Sequence, residues 1–384
     1  MKRPIHVLQV VHSLIVGGTE RVVSDLVRAF NDGEFRTSVC CLDGLGELGE
    51  ELRREGIKVH VLGRKPGLDL SLISRVRDLY RQESVDLVHA HQYTPYFYSA
   101  TAALSAGLTP VIFTEHGRHW PDYLRMKRAV VNQFLRLTTG AYTAVSEFSR
   151  QSLIRYEKIP AKAIQVIYNG IKRDAMSAHV NDRRRVRCEV GLEDEAVLVL
   201  SIGRLDRIKD FATLIRAFSL IAKRLPNVRL WIAGDGDPAY KTELAELISQ
   251  LDLQRQARLL GTRRDVDRLL AASDLFALSS ISEASAMTIL EAMAAGRAVV
   301  ATRTGGNAEL VVQGETGILV PVGNISAMAE AMVRLLNDPN QRARMSKNGR
   351  EKVKKDFSWD LSVAQYRNLY RSVSGKKQRS PRRV

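Results

Sequence analysis

Short apolar, β-branched runs alternate with amphipathic helical patterns along the whole chain. In the first half the runs predict strands at Ile5–Val11, Thr37–Leu42, Lys58–Leu62, Leu87–His91, Val111–Glu115, Ala141–Val145 and Ala163–Ile167. Between them, apolar residues recur at helical spacing over Glu20–Phe30, Gly46–Glu55, Ser71–Arg81, Thr94–Ala106 and Met126–Thr138. A polar, Arg-rich stretch around Asn181–Arg187 interrupts the alternation, which then restarts. Strands follow at Val197–Ile202, Arg229–Ala233, Ala257–Leu260, Leu275–Leu278, Ala298–Thr302 and Gly317–Val320. Helices are predicted at Phe211–Leu225, Ala239–Leu251, Val266–Ala272, Thr288–Ala295, Asn307–Gln313 and Ser326–Asp338. Strands that are apolar throughout are covered on both faces, which is the habit of parallel sheet joined by right-handed helical crossovers. The expected fold class is α/β, as two consecutive doubly wound domains, residues 1–180 and 181–358. An amphipathic helix at 359–373 follows, and then a basic tail at 374–384 with no apolar face, expected to be disordered.

Composition narrows this picture. The chain has 384 residues, 45% of them hydrophobic, which is ample for two cores. Three cysteines, two of them adjacent (Cys40, Cys41), argue against a disulfide framework and for a reducing compartment. No Cys or His spacing matches a structural metal site, and no cofactor is expected. The amino terminus imitates a signal peptide, with Met1-Lys2-Arg3 before Ile5–Val16. His6, Gln9 and His12 interrupt that apolar run, so it reads as a buried strand, IHVLQVV, entering a glycine turn. No run of 18 apolar residues occurs, and a cytoplasmic location is expected. The unusual number is the net charge of +16, which points to an anionic partner.

In open α/β sheets ligands bind at the carboxyl ends of the strands, and four segments fall there. Gly17-Gly18-Thr19-Glu20 joins the first strand to the first helix, where paired glycines admit close approach and the helix start favours anions. An ordinary tight turn explains it equally well. Gly203-Arg204-Leu205-Asp206-Arg207-Ile208-Lys209 follows a strand directly, and Arg204 with Lys209 suits a diphosphate without a metal, although taken alone a solvated basic loop is the commoner explanation. In the third segment Glu283 precedes a helix and Glu291 lies a turn inside it. The backbone N–H groups of Ala286, Met287 and Thr288 are aimed at an anion. Glu291 interrupts an apolar helix, TILEAMAA, so it is expected to be mostly buried and to need a partner such as a ribose diol. The fourth is Thr114-Glu115-His116-Gly117-Arg118, with His116 at a strand end. His89, His91 and His119 lie near it in sequence without standard ligand spacing.

Taken in order, GGTE, TEHG, VSEFSRQSL, IYNG, GRLDRIKD, WIAGDGD, LLGTRRDV, SEASAMTILEAMAAGRAVVAT and FSW resemble a retaining glycosyltransferase of family 4 with the GT-B architecture. The resemblance covers nearly the whole chain. Its most specific part is Glu283 and Glu291 in an E-x7-E element followed by AMAAG-x-AVVAT. It implies two Rossmann-like domains facing a central cleft, with the terminal helix crossing back to the first domain. It implies a UDP- or GDP-sugar donor with Glu291 on the ribose, Arg204 and Lys209 on the pyrophosphate helped by the Ala286–Thr288 amides, and Glu283 on the sugar hydroxyls. The segment Gly261–Val266 would border the base, Gly17 and Gly18 would approach the phosphates, and His116 would face the donor sugar. His116, Arg204, Lys209 and Glu283 are thus the catalytic candidates. Gly17, Gly18, Ala286, Met287, Thr288 and Glu291 are the substrate-binding ones.

Two departures stand out. Ser285-Ala286 replaces the family's frequent Phe-Gly, which changes the sugar-side contact, and IYNG runs into Ile171-Lys172-Arg173 instead of an acidic residue. The EASAMTILEAMA form is similar to sugar transferases of bacterial exopolysaccharide clusters, so the acceptor is expected to be a glycan or lipid-linked. A nucleotide-sugar epimerase of the same fold remains an alternative. Nucleic acid, suggested by charge alone, is not an expected partner, because no aromatic-interleaved basic motif occurs. Tyr123–Leu137 combines Arg125, Lys127, Arg128 and Arg136 with Leu124, Val131, Phe134 and Leu135. It suits an interfacial helix on an anionic membrane at the inner face of the plasma membrane, and equally a core helix with a solvated basic face.

Overall fold

The computed structural model describes residues 3–117, 122–172, 183–193 and 195–379. Arg118, His119, Arg173, the start of the Arg-rich stretch (Asn181 and Asp182) and the last five residues lie outside the described residues. The chain divides into two compact units, Met1–Asn169 with Ser362–Val384, and Gly170–Leu361. The division after Asn169 has a local cause. The Ile171 N–H donates to the Phe357 carbonyl at 2.9 Å and the Trp359 N–H to the Ile171 carbonyl at 3.1 Å, so the chain joins the second unit there.

The first unit is built on seven parallel strands: β1 (Ile5–Ser13), β2 (Phe35–Gly44), β3 (Val59–Val61), β4 (Leu87–His91), β5 (Val111–Glu115), β6 (Thr139–Ala144) and β7 (Ile164–Val166). Their order is β3-β2-β1-β4-β5-β6-β7, so the winding reverses between β1 and β4. Helices cover both faces. Val23 and Val27 of Gly18–Ala29 pack with Val11 and Val39 on one side. Tyr96 and Ala100 of Tyr93–Ser105 pack with Val10, Val88 and Phe113 on the other. The terminal helix, Trp359–Arg379, seats Tyr370 in this unit with its ring 4.8 Å from Phe30 and 5.8 Å from Phe35. Arg367 and Arg371 both bind Glu34, at 2.9 and 2.6 Å.

The second unit has six parallel strands: β8 (Val197–Ile202), β9 (Val228–Ala233), β10 (Ala257–Leu259), β11 (Leu275–Leu278), β12 (Ala298–Thr302) and β13 (Gly317–Val320). The order β10-β9-β8-β11-β12-β13 reverses between β8 and β11.

Both sheets match the predicted strands, and the departures are helical. Glu147–Glu157 and Pro339–Asp356 are helices that apolar spacing does not announce. The first buries Ser149, Leu153 and Glu157, the second Gln341, Met345, Gly349 and Val353. Each stripe recurs every fourth residue but is largely polar or small, so no hydrophobic period marks it. Their starts are marked by Ser146 capping the Ser149 N–H at 3.1 Å, and by Asp338 capping the Gln341 N–H at 2.8 Å before Pro339.

Arg183–Glu189 is also helical, and its charge is partly structural. Arg187 is buried and donates to the Ala272 carbonyl at 3.0 Å. Arg183 reaches the Ala271 carbonyl at 3.0 Å and Asp274 at 2.6 Å. Both arginines therefore satisfy the carbonyl end of helix Val266–Ala272. The terminal helix continues through buried Ser374 to Arg379, past residue 374 where the tail was expected to begin.

Candidate active site

The second unit brings its site together at the carboxyl ends of β8, β11 and β12. After β8, the Asp206 side chain accepts from the Ile208 N–H at 3.1 Å and shapes the turn Arg207–Lys209. Asp210 then caps helix Phe211–Ala222 through the Thr213 N–H at 3.2 Å. Two bonds clip this turn to the segment after β11: the Ile281 N–H donates to the Ile208 carbonyl at 2.8 Å, and Ser279 Oγ to the Lys209 carbonyl at 3.0 Å. Held this way, Lys209 Nζ lies 2.5 Å from Glu283 Oε1. Ser280 Oγ donates to the same oxygen at 2.6 Å.

Glu283 is fixed from a third side. The Gly306 N–H donates to its carbonyl at 2.9 Å. Gly305, at φ +49°, passes so close that a Cβ there would stand 1.8 Å from that carbonyl oxygen. Thr302 Oγ1 and Thr304 Oγ1 donate to the Ser280 and Ile281 carbonyls at 2.6 and 2.7 Å. The carboxylate is buried, 9% exposed, with a cation and a hydroxyl on one oxygen. It is a fixed acceptor with a charge partner.

Four residues after Glu283, the helix Met287–Ala294 begins. Its N-cap is Ala286, which has no side-chain oxygen to offer, so the positive end of the helix is left to a ligand or solvent. Ser285 Oγ beside it is buried and has no hydrogen-bond partner among the described residues. Glu291 is only half-buried, which corrects the expectation that it is mostly buried. The reason is angular: the helix buries Ile289, Leu290, Ala292, Met293 and Ala294, and Glu291 sits at the margin of that face.

Arg204 does not join the Lys209–Glu283 pair. Its guanidinium bonds Asp206 at 2.8 Å with the side chain 69% exposed, a geometry open to solvent and to an incoming anion. Nearby, the Gly234 N–H donates to the Gly261 carbonyl at 2.8 Å, and Arg263 grips Asp265 at 2.6 and 2.8 Å.

In the first unit, Gly17 is the N-cap of Gly18–Ala29, half-buried, and Gly18 is exposed. A Cβ on Gly17 would meet Glu20 Oε2 at 2.3 Å, so a carboxylate already lies over this helix start. An anion approaching Gly17 must displace it.

His116 follows β5. Its Nε2 lies 2.8 Å from His91 Nδ1, and His91 Nε2 lies 2.7 Å from Gln9 Oε1. Gln9 Nε2 donates to the Tyr370 hydroxyl at 3.0 Å, and that hydroxyl lies 2.7 Å from His89 Nδ1. His89 Nε2 reaches Thr114 Oγ1 at 2.6 Å, and Thr114 meets Thr143. Burial holds His89 and His91 well below the ordinary imidazole value and pushes His116 down to about 3, so all three are neutral near pH 7. Sequence reasoning singled out His116, named Gln9 and His91 without linking them to it, and missed Tyr370 and Ser280. The available signal was Gln9, a polar residue between apolar pairs at the centre of β1. Among the described residues, no group of three or more His, Cys, Asp or Glu is arranged to hold a metal ion.

Two doubly wound parallel sheets, each with its candidates at the carboxyl edge, define a GT-B type α/β protein. Residues 16–175 match the family model for Glycosyltransferase Family 4, and residues 182–352 match the one for glycosyl transferases group 1. The chain is 28% identical over 316 residues, 80% of each chain, to N-acetyl-alpha-D-glucosaminyl L-malate synthase of Bacillus anthracis. It is 27% identical, over 78% of each chain, to an Escherichia coli UDP-Gal:alpha-D-GlcNAc-diphosphoundecaprenol alpha-1,3-galactosyltransferase. It also superposes on the crystal structure of Anabaena Alr3699/HepE in complex with UDP-glucose, with a TM-score of 0.83 and 25% identity, covering 97% of this chain and 100% of that one. The chain belongs to glycosyltransferase family 4.

Proposed function

We propose that this glycosyltransferase moves a sugar from a UDP- or GDP-sugar to a glycan or lipid-linked acceptor, with retention of configuration, in bacterial exopolysaccharide or envelope polysaccharide synthesis. The observation that carries this reading is the Lys209–Glu283 pair at 2.5 Å, beside the uncapped start of helix Met287–Ala294. Lys209, Arg204 and the amides of Ala286, Met287 and Thr288 receive the diphosphate. Glu283 accepts from the sugar hydroxyls, and Glu291 takes the ribose diol. The Anabaena structure contains UDP-glucose, and the Escherichia coli relative is named for a lipid diphosphate acceptor, which supports both substrate classes.

In the proposed reaction the anomeric C–O bond to the diphosphate breaks while the acceptor oxygen bonds to the same face. The acceptor's proton passes to the departing phosphate oxygen. No carboxylate nucleophile is needed, and the positive groups stabilise the leaving diphosphate, at about 3 kcal/mol per well-placed donor. This reading assigns the charge role to side chains and amides and so needs no metal. A thermal-shift screen of UDP-, GDP- and ADP-sugars tests it. One nucleotide series is expected to raise Tm in a concentration-dependent way. No shift with any of them contradicts the reading.

A membrane contact is part of the same proposal. Helix Met126–Leu135 buries Leu135 and half-buries Val131, so the outward stripe along the helix keeps only Phe134 of the four apolar residues expected from sequence, with Leu124 exposed just before it. It consists of Met126, Val130, Phe134 and Leu137, at 64, 56, 63 and 72% exposure, with Lys127 and Arg136 exposed beside it. Apolar residues spaced three or four positions apart and flanked by cations suit an anionic bilayer surface. Arg128 does not contribute, because it lies over the Tyr93 ring and 3.6 Å from buried Glu157. Among the described residues, no helix is long and apolar enough to cross a membrane. Cosedimentation with anionic liposomes at low salt is expected, and its loss in Phe134→Glu; absence of binding by the intact protein contradicts this part.

A further inference from the structure

The polar chain that ends at His116 has a direction. The Gln9 amide sets it, with Nε2 towards Tyr370 and Oε1 towards His91, and at the far end Thr143 Oγ1, 3.4 Å from the Phe113 carbonyl, is placed to accept from Thr114. Thr114 therefore spends its proton on Thr143 and must accept from His89 Nε2–H. A neutral His89 then has a bare Nδ1, which accepts from the Tyr370 hydroxyl. Tyr370, having donated, accepts from the Gln9 amide nitrogen, which turns Gln9 Oε1 towards His91. His91 donates through Nε2–H and accepts at Nδ1, so His116 must donate through Nε2–H. What remains is His116 Nδ1: a lone pair, buried, with no partner among the described residues.

We propose that Gln9 and Tyr370 are positioning residues that act through His91 to hold His116 in the tautomer with a bare Nδ1, fitted to accept a hydrogen bond from a sugar hydroxyl. Direction is what this chain supplies. A bare ring nitrogen welcomes an O–H donor and repels a phosphate oxygen, so His116 discriminates between the two parts of a nucleotide sugar. Leaving a buried acceptor unfilled is unfavourable, and a ligand hydroxyl removes that cost. The depressed proton affinity of all three imidazoles, caused first by burial, keeps the chain from being scrambled by protonation. The tautomer stands on the chain alone, and only the identity of the hydroxyl rests on the function proposed above.

The test is a two-bond proton–nitrogen NMR spectrum of the full chain labelled with 15N-histidine, with His116→Gln to assign the signal. His116 is expected to show a protonated Nε2 and a bare Nδ1, unchanged from pH 8 to pH 5. In Tyr370→Phe the Gln9 amide loses its acceptor, and His116 is expected to become a mixture of both tautomers. Gln9→Leu is expected to shift it further towards Nδ1–H. A protonated Nδ1 in the wild-type protein overturns the proposal whether or not any variant folds. A bare Nδ1 that stays unchanged in both folded variants overturns the positioning role. Adding UDP-glucose or GDP-mannose separates the two readings. A predicted tautomer that no nucleotide sugar perturbs keeps the positioning chain and counts against the donor assignment of His116.

Discussion

The carboxyl edges of the two sheets carry opposite chemistry. In the second unit the edge is ionic and short-ranged: Lys209 and Glu283 meet at 2.5 Å, Arg204 stays exposed, and a helix start is left uncapped. In the first unit the groups leading to His116 are neutral and directional, a file of buried amide, imidazole and hydroxyl groups ending at one nitrogen of its ring. Charge suits a diphosphate, whose oxygens are equivalent acceptors and need little orientation. Directed neutral bonds suit hydroxyls, which are told apart by where each points.

The comparison breaks most sharply if the ionic edge is dispensable. Lys209→Met and Glu283→Ala are each expected to lower kcat by roughly 10²–10³, the scale for losing a preorganised charge partner. Circular dichroism should show the fold intact, and near wild-type transfer by either variant contradicts the site. Gly305→Ala comes next. Its Cβ collides with the Glu283 carbonyl, and φ +49° disfavours any side chain there, so turnover should fall about tenfold or more while Lys209 and Glu283 both remain. Unchanged kinetics would show that the position of Glu283 is not critical.

The neutral edge makes a pH prediction. The folded values of His89, His91 and His116 lie below the unfolded value of about 6.5. Between that value and the folded ones the unfolded chain binds more protons. Stability is therefore fully present above about pH 6.5 and is lost as pH falls, by up to roughly 1.4 kcal/mol per pH unit per histidine. Tm measured from pH 7.5 to 5 should decline, and a flat profile contradicts the burial of the chain. The smallest effect is expected at Arg204→Ala. An exposed pair contributes about 0–1 kcal/mol, so Tm should barely move while donor KM rises. A large loss of stability would make Arg204 structural.

The sequence displayed the ionic edge better than the neutral one, for a physical reason. Lys209 and Glu283 lie in loops directly after strands, where a strand boundary alone places them at the ligand edge. The β-pattern was equally legible, because parallel strands buried on both faces are continuous apolar runs. Helices Glu147–Glu157 and Pro339–Asp356 escaped, since their buried stripes contain Ser149, Gln341 and Gly349 in place of aliphatic residues. The chain through Gln9, His91 and Tyr370 escaped because 361 positions separate its ends in sequence. Nothing local relates Tyr370 to β1, and the contact exists only once the terminal helix docks on Phe30 and Phe35.

The most direct measurement is calorimetric binding of a nucleoside diphosphate and of its nucleotide sugar to the wild-type protein, Lys209→Met and Glu283→Gln. If the ionic edge divides its labour as proposed, Lys209→Met weakens both ligands, whereas Glu283→Gln weakens only the nucleotide sugar. Wild-type affinity for both ligands in both variants, or an equal loss of diphosphate binding in Glu283→Gln, would contradict the account.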